Sequence, residues 1–124
     1  MNHLKPINIM EKFEMMDKYW TPHIIAALND QYVKICKING DFVWHNHENE
    51  DELFIVFKGK LFIDIKDAET LEVNEGEMVI IPRGVEHRPR TNGELVYNML
   101  FEPKSALHTG NKQTEMTVNE LHFI

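Results

Sequence analysis

The amino-acid sequence predicts an all-β protein, an antiparallel barrel or sandwich preceded by a short N-terminal helix. From residue 23 onward, short β-type runs alternate with turn residues, which is typical of successive strands. Two of the junctions, Asn39-Gly40 and Asn92-Gly93, are dipeptides that favour tight hairpin turns. Many short strands at this spacing favour an antiparallel barrel or sandwich.

The elements can be assigned in chain order from the spacing of apolar residues. A helix is predicted over residues 7–20, because Ile7, Met10 and Phe13 recur with charged residues between them, and Pro22 ends it. Nine strands are then predicted, over residues 23–28, 31–38, 41–47, 52–58, 61–66, 70–73, 77–81, 85–90 and 94–102. The apolar residues 121–124 end a largely polar tail and are expected to pack back as an edge strand or an exchanged arm.

The length of 124 residues suffices for one sizeable core, so we expect a single domain over 1–124. Within it, the barrel core would span about 31–103. The helix and first strand would occupy 7–30, and a tail would follow over 104–124.

The composition argues against several classes of function. The chain has 13 basic and 20 acidic residues and a formal charge of -7, so binding to the phosphate backbone of a nucleic acid is not expected. The longest apolar runs, 24–28 and 53–57, are too short for a signal peptide or a membrane span. Cys36 is the only cysteine, which rules out an intrachain disulfide and favours a cytoplasmic location.

Two separate stretches supply residues of the types that bind metal ions. His45 and His47 are two residues apart, so on a strand they point to the same face, and Glu52 follows five residues later. A second stretch, with the pattern Gly-x5-Pro-x-Gly-x2-His, ends at His87. A His-x-His pair alone is more often two hydrogen-bonded or exposed histidines. Three imidazoles and a carboxylate would be costly inside a barrel without a partner, so we predict that they converge on one metal ion.

These two patterns resemble the motifs of a single-domain cupin. The family's first motif, Gly-x5-His-x-His-x3 or 4-Glu-x6-Gly, is matched from the first histidine onward by His45, His47, Glu52 and Gly59. Its second, Gly-x5-Pro-x-Gly-x2-His-x3-Asn, is matched by Gly76, Pro82, Gly84 and His87. The resemblance covers about residues 31–103 and implies a jelly-roll barrel with a metal in its open mouth.

The sequence departs from the two motifs at two turn positions. Four residues rather than five separate Gly40 from His45, and Thr91 stands where the second motif has asparagine, with Asn92 one place later. Neither position is a metal ligand, so the departures bear on loop geometry rather than on the metal.

The ligand set suits one divalent ion, which could be zinc, manganese, iron, nickel or cobalt. Four protein ligands leave two positions of a six-coordinate ion for water or for a small chelating anion. We therefore expect a metal-dependent enzyme that acts on a small polar or anionic metabolite, of the isomerase, decarboxylase or dioxygenase type. The alternative is a non-catalytic module that senses or stores a ligand or a metal.

Strand alternation predicts which side chains accompany the ligands. If Glu52 points inward, then Phe54 does too, and Leu53, Ile55 and Phe57 form an apolar outer face. Such a face is expected to be covered by a second sheet, the N-terminal helix or another subunit, and we predict a homodimer.

A tight hairpin at Asn92-Gly93 would pair the strand ending at Arg90 with the strand that follows. This register would place Asn98 beside His87 on the inner face, with Arg88 and Arg90 on the opposite face. Phe54 and Asn98 are therefore the candidate pocket residues, one shaping an apolar wall and the other offering a hydrogen bond. His108, in the tail, is a weaker candidate for an extra ligand or a proton donor.

Overall fold

Two sheets pack face to face, and a short helix covers the outer side of the larger one. The computed structural model describes residues 4–104 and 122–124. Its elements are α1 (Ile9–Glu14), β1 (His23–Leu28), β2 (Gln31–Ile38), β3 (Glu52–Lys58), β4 (Leu61–Ile65), β5 (Leu71–Val73), β6 (Met78–Ile81), β7 (His87–Arg90), β8 (Val96–Pro103) and β9 (His122–Phe123). Within these ranges, no helix is long and apolar enough to cross a membrane.

The larger sheet has the strand order β6-β3-β8-β2-β1-β9, and the smaller has the order β5-β4-β7. Neighbouring strands are antiparallel except for β9, which runs parallel to β1. The chain enters the smaller sheet twice, for β4 and β5 and again for β7, and returns to the larger sheet each time. The predicted all-β jelly-roll fold is confirmed.

The main core lies between the two sheets. Cys36 and Ile38 on β2 and Phe54 and Val56 on β3 project inward at every second position, as the pleat requires, and are at most 4% exposed. The smaller sheet contributes residues such as Leu61, which is fully buried. Removing each large apolar side chain from water stabilises the fold by about 1.5–3 kcal/mol, so the core sets the relative position of the sheets.

Helix α1 covers the opposite, outer face of the larger sheet. Asn8 caps its N-terminus by accepting a hydrogen bond from the backbone N–H of Glu11 at 3.0 Å. Phe13 is completely buried and stacks on Tyr97, with ring centroids 4.5 Å apart. The helix ends at Glu14, well short of the predicted residue 20.

The predicted strand over 41–47 was wrong. The structure has only isolated bridges there, between Asp41 and Arg90 and between His45 and His87. A continuous strand would need a regular partner along its whole length, and this segment meets β7 only at those two points.

The predicted hairpin at Asn92-Gly93 was also wrong. Strand β7 pairs with β4 in the smaller sheet, whereas β8 pairs with β2 and β3 in the larger one. The turn therefore carries the chain from one sheet to the other. Thr91 links it to the other Asn-Gly turn, because its hydroxyl accepts a hydrogen bond from Gly40 N at 2.9 Å. Closing the two sheets over a shared core outweighs the local preference for a hairpin.

Strand β9 confirms that the chain end packs back as an edge strand. His122 and Phe123 pair with His23 and Ile24, and Ile124 N donates to Ile24 O at 3.0 Å. Residue 121 and His108 lie outside the described residues.

Candidate metal centre

The structure brings together all four side chains singled out by the two motifs. One nitrogen or oxygen atom from each of His45, His47, Glu52 and His87 lies within 4.8 Å of the corresponding atoms of the others. All four residues are almost fully buried, with exposures of 1–3%. Two motifs that are some forty residues apart in sequence therefore form one compact cluster.

Backbone hydrogen bonds hold the two motifs together. His45 N donates to His87 O at 3.0 Å, and His87 N donates to His45 O at 2.9 Å. Residues directly opposite in such an antiparallel bridge project to the same face. Gly84, in the turn before β7, donates its N–H to His47 O at 2.8 Å. The Pro-x-Gly turn of the second motif thus sets the position of the first motif.

The carboxylate of Glu52 reaches the cluster from the larger sheet, whereas His87 belongs to the smaller one. Glu52 is the first residue of β3 and lies opposite Ile81, the last residue of β6. His87 is the first residue of β7 and lies opposite Ile65 of β4. The cluster therefore joins the larger sheet to the smaller one.

Each histidine is held through the ring nitrogen that faces away from the centre. Nδ1 of His45 lies 3.0 Å from Val43 O, and Nδ1 of His87 lies 2.9 Å from Val85 O. Nδ1 of His47 lies 3.3 Å from a carboxylate oxygen of Glu50. Since these partners are acceptors, they favour a proton on Nδ1, which leaves the Nε2 lone pair free to bind a metal.

The Nε2 atoms meet at Glu52. Its Oε1 lies 3.0 Å from Nε2 of His87 and 3.2 Å from Nε2 of His47. Nε2 of His45 is buried, and no hydrogen-bond partner lies among the described residues. A buried nitrogen without a partner is costly, so this atom is expected to have a ligand.

Burial and neighbouring charges shift the pKa values of the ionisable groups in opposite directions. Burial raises the pKa of Glu52, but hydrogen bonds from His47 and His87 outweigh it and hold the pKa well below its usual value. Burial lowers the pKa of His47, but Glu52 outweighs it and raises the value to about 9. Burial lowers the pKa of His45 to about 4, although Glu52 opposes this. The site therefore favours an ionised carboxylate at Glu52 with the positive charge of His47 beside it.

The four residues fit a divalent metal ion. Metal bonds of about 2.0–2.2 Å require ligand atoms that are no more than about 4.4 Å apart, close to the observed spread of 4.8 Å. Three imidazole nitrogens and one carboxylate oxygen form a donor set suited to first-row transition metals and zinc. The buried His/Glu cluster can therefore hold a metal.

A small cavity adjoins the cluster. Both predicted pocket residues, Phe54 and Asn98, line it, together with His45 and Glu52. The rest of its wall is almost entirely apolar and comprises Trp20, Pro22, Cys36, Ile38, Phe42, Pro89 and Leu100. Asn98 is fully buried, and neither of its amide atoms has a partner among the residues described. Its side chain is therefore available to a ligand or to water.

Asn98 reaches the cavity by a different route from the predicted one. It lies opposite Cys36 on β2 and Val56 on β3, not beside His87 in a hairpin. The inward direction was nevertheless right, because alternation along β8 does not depend on which strand is the partner.

Arg88 and Arg90 lie away from the cluster, as predicted. They donate hydrogen bonds to Asp64 of β4, both with closest distances of 2.8 Å. The guanidinium groups also lie over the rings of Trp44 and Phe62, 5.4 and 5.0 Å from the ring centres. These arginines stabilise the outer side of the smaller sheet.

One buried ion pair was missed in the sequence. Lys34 and Glu102 are both fully buried, with Nζ and Oε1 3.3 Å apart. Burial and the nearby charge of Glu52 raise the pKa of Glu102 to about 7, although Lys34 opposes this. Strand alternation could have predicted the pair, because Glu102 points to the same face of β8 as Asn98, and Lys34 points to the same face of β2 as Cys36. The positions of Trp20 and Phe42 in the cavity wall could not be predicted from strand alternation, because neither residue lies on a strand.

Comparison with known proteins agrees with this architecture. Residues 20–101 match the Cupin domain family. The uncharacterized protein YdbB of Bacillus subtilis (strain 168) is 40% identical over 82 residues, which are 66% of this chain and 72% of that protein. A crystal structure of a cupin-2 domain containing protein from Shewanella frigidimarina NCIMB 400 matches with a TM-score of 0.76 and 42% identity, covering 79% of this chain and 94% of that one.

A more distant likeness is to an enzyme. Hydroquinone 1,2-dioxygenase from Sphingomonas sp. TTNP3, in a structure with 4-hydroxybenzoate bound, matches with a TM-score of 0.73 and 16% identity. The match covers 82% of this chain but only 32% of that one. At this identity the likeness shows the fold alone.

Proposed function

The chain belongs to the cupin domain family, and on that premise we propose that His45, His47, Glu52 and His87 bind one divalent metal ion. The observation that carries the proposal is the convergence of their buried ligand atoms within 4.8 Å. Zinc, manganese, iron, nickel and cobalt all suit the donor set. With Glu52 ionised, the loaded site has a net charge of about +1, which favours a small oxygen-bearing anion at the remaining positions.

The function that this site supports best is that of a metal-dependent enzyme acting on a small polar or anionic metabolite. The ion, when bound, acts as a Lewis acid toward the oxygen atoms of such a ligand. Asn98 offers one donor and one acceptor inside the cavity, and Phe54 supplies an apolar wall that excludes water. Isomerisation, decarboxylation and dioxygen insertion are the reaction types that fit.

One observation favours the alternative of a non-catalytic binding module. Apart from the proposed metal ligands, Cys36 is the only titratable residue among the described residues that line the cavity. Burial and the charge of Glu102 raise the pKa of its thiol to about 12, so it remains protonated and inert. A reaction that needs a protein acid or base would therefore have to use a metal ligand.

The metal proposal is tested by elemental analysis of protein purified without an affinity tag. We expect about one equivalent of a divalent metal in the wild type and loss of most of it in His47→Ala and His87→Ala. Removing one of four ligands takes away both a bond and the geometry that holds the others. Arg88→Ala, next to His87 but turned away from the cluster, should keep its metal.

A second measurement separates the enzyme from the binding module. Metal-loaded protein is incubated with sugars, keto acids and catechols, and products are sought by mass spectrometry. Turnover supports the enzyme. A ligand that raises the melting temperature in a simple saturation curve without giving a product supports the binding module. Wild-type protein without metal, under conditions where it is folded, would contradict both.

We also propose a homodimer built on the outer face of the larger sheet. Met78 and Ile80 on the edge strand β6 are 57% and 54% exposed. They lie opposite Ile55 and Leu53 on β3, so the four side chains form one apolar strip. An exposed apolar edge strand of this kind is usually covered in the working form of a protein.

A further inference from the structure

Trp20 lines the cavity and has an unusual backbone conformation. Its φ is 57°, in the left-handed region. The other non-glycine residues with positive φ among those described are Asn29 and Asp67, types that tolerate this region. For a bulky residue the conformation costs about 1–3 kcal/mol and persists only where its surroundings hold it.

Three contacts hold Trp20 in place. Its backbone N–H donates to Lys37 O at 2.9 Å, and its Nε1–H donates to Asn39 O at 2.9 Å. The indole stacks on Phe42, with ring centroids 4.6 Å apart and planes inclined by 14°. Phe42 in turn meets His45 edge-on, with centroids 5.5 Å apart. A continuous aromatic wall therefore runs from Trp20 to a proposed metal ligand.

The lining of the cavity indicates what kind of ligand it accepts. Asn98 is the only polar side chain in the described lining besides His45, Glu52 and the thiol of Cys36. A ligand with several hydroxyl groups would leave most of them without partners, at a cost of about 1–3 kcal/mol each. An apolar or aromatic body would lose nothing on burial there.

The cavity accepts a ring-sized ligand only if part of its wall moves. It offers about 30 Å³ to the centres of water molecules, and one water needs about 10–15 Å³ on this measure. A ring-sized ligand is larger than that. The strand walls are fixed by backbone pairing, as between Cys36 and Asn98. Trp20 and Pro22 belong instead to the segment between α1 and β1, which is joined to β2 by the single backbone bridge between Tyr19 and Lys37.

We propose that Trp20 is a movable lid, and that the ligand of this site is an oxygen chelator with a planar apolar group that packs against Trp20 and Phe42. This inference rests on the proposed metal site and narrows its ligand to a class such as aryl hydroxy acids. Opening requires that Trp20 give up two hydrogen bonds, one stacking contact and its packing against the main core, and it releases a strained conformation.

The test compares three 2-hydroxy acids that share one chelating end and differ in the rest. Full-length protein loaded with Co2+ is titrated calorimetrically with mandelate, lactate and glycerate, which carry a phenyl, a methyl and a hydroxymethyl group. We expect mandelate to bind about tenfold tighter than lactate or better, because burying a ring removes more apolar area from water. Glycerate should bind no tighter than lactate.

Two tryptophan variants test whether Trp20 is responsible for the preference for mandelate. Trp20→Ala should still take up Co2+ but lose most of the preference for mandelate over lactate. Trp44→Ala is the control: this indole lies over Arg88, outside the described lining, and its loss should leave the preference unchanged.

Tryptophan fluorescence provides a second test, which can be used if Trp20→Ala does not fold. The chain has two tryptophans, so Trp44→Phe leaves Trp20 as the sole reporter. We expect its emission to shift when mandelate binds and to change little with lactate. Equal binding of the three acids to metal-loaded protein, or mandelate binding with unchanged Trp20 emission, would overturn this inference and leave the metal site standing. Failure to take up metal would instead refute the proposed function itself.

Discussion

Single side chains divide into those that face the metal cluster and those that hold the surrounding sheets, and Asp64 belongs to the second group. It accepts hydrogen bonds from Thr70 at 2.7 Å and from both Arg88 and Arg90 at 2.8 Å. Its side chain is only 12% exposed. Although burial raises the pKa of Asp64, the hydrogen bonds from Arg90, Thr70 and Arg88 lower it to about 2.

Asp64→Asn should therefore lower the free energy of unfolding by about 2 kcal/mol at pH 7, as is usual for hydrogen bonds to a charged group. Because the pKa in the folded state is depressed, this contribution is fully present above the ordinary value of 3.8 and is lost as pH falls toward 2. Urea unfolding of both proteins at pH 7, 4 and 3 measures it. The difference should shrink at pH 3.

The matched control is Asp67→Asn. Asp67 is exposed and has a φ of 60°, which asparagine also tolerates. This variant should differ from the wild type by less than about 0.5 kcal/mol. A loss in Asp64→Asn no larger than in this control would show that the carboxylate does not stabilise the sheet.

Among the elements, β8 serves both faces of the larger sheet. Its inward residues include Val96 in the main core and Asn98 in the cavity, whereas Tyr97 and Met99 point outward into the cluster beneath α1. The helix therefore packs on the back of the strand that presents Asn98. Its docking supports the cavity without contacting it.

Phe13→Ala should lower the free energy of unfolding by about 3–5 kcal/mol, since it removes a completely buried ring that stacks on Tyr97. Met15→Ala is the control, because Met15 is 63% exposed at the end of the same helix, and it should change stability by less than about 0.5 kcal/mol. Thermal unfolding followed by circular dichroism measures both. Similar melting temperatures for the two variants would show that the helix is not docked as described.

For the whole molecule, the proposed dimer interface is the apolar strip of Leu53, Ile55, Met78 and Ile80. The helix covers part of the predicted outer face: Phe57 packs near Phe13, with ring centroids 6.0 Å apart. A charge at Phe57 would therefore disturb the chain's own core. Within the strip, Ile55 also packs against the cluster beneath the helix, and the strip continues from there to the edge strand β6.

Ile80→Glu should convert the proposed dimer into a monomer, because it places a charge in an interface that is otherwise apolar. Sedimentation velocity over a range of protein concentrations measures this. Ala68→Glu makes the same change in charge at an exposed turn of the smaller sheet and should leave the assembly as it is. An unchanged sedimentation profile for Ile80→Glu would contradict the proposed interface.

Local patterns predicted the bounds of β1, β2 and β3 correctly. In β3 burial alternates with a period of two, whereas β1 and β2 are short runs bounded by turn residues. The segment 41–47 failed because its apolar and histidine residues are held by single bridges and by the cluster, not by a ladder. The division into one domain over 1–124 stays a prediction.

The sequence by itself determined the all-β class, the family resemblance and the identity of the four clustered side chains, because these depend on residue type and short spacing. Only the tertiary structure decided that β7 and β8 belong to different sheets, that Lys34 meets Glu102, and that Trp20 lines the cavity. The physical reason is that sheet partners and cavity walls are chosen by the burial of distant surfaces against one another. The free energy of that burial cannot be read from any local stretch of the sequence.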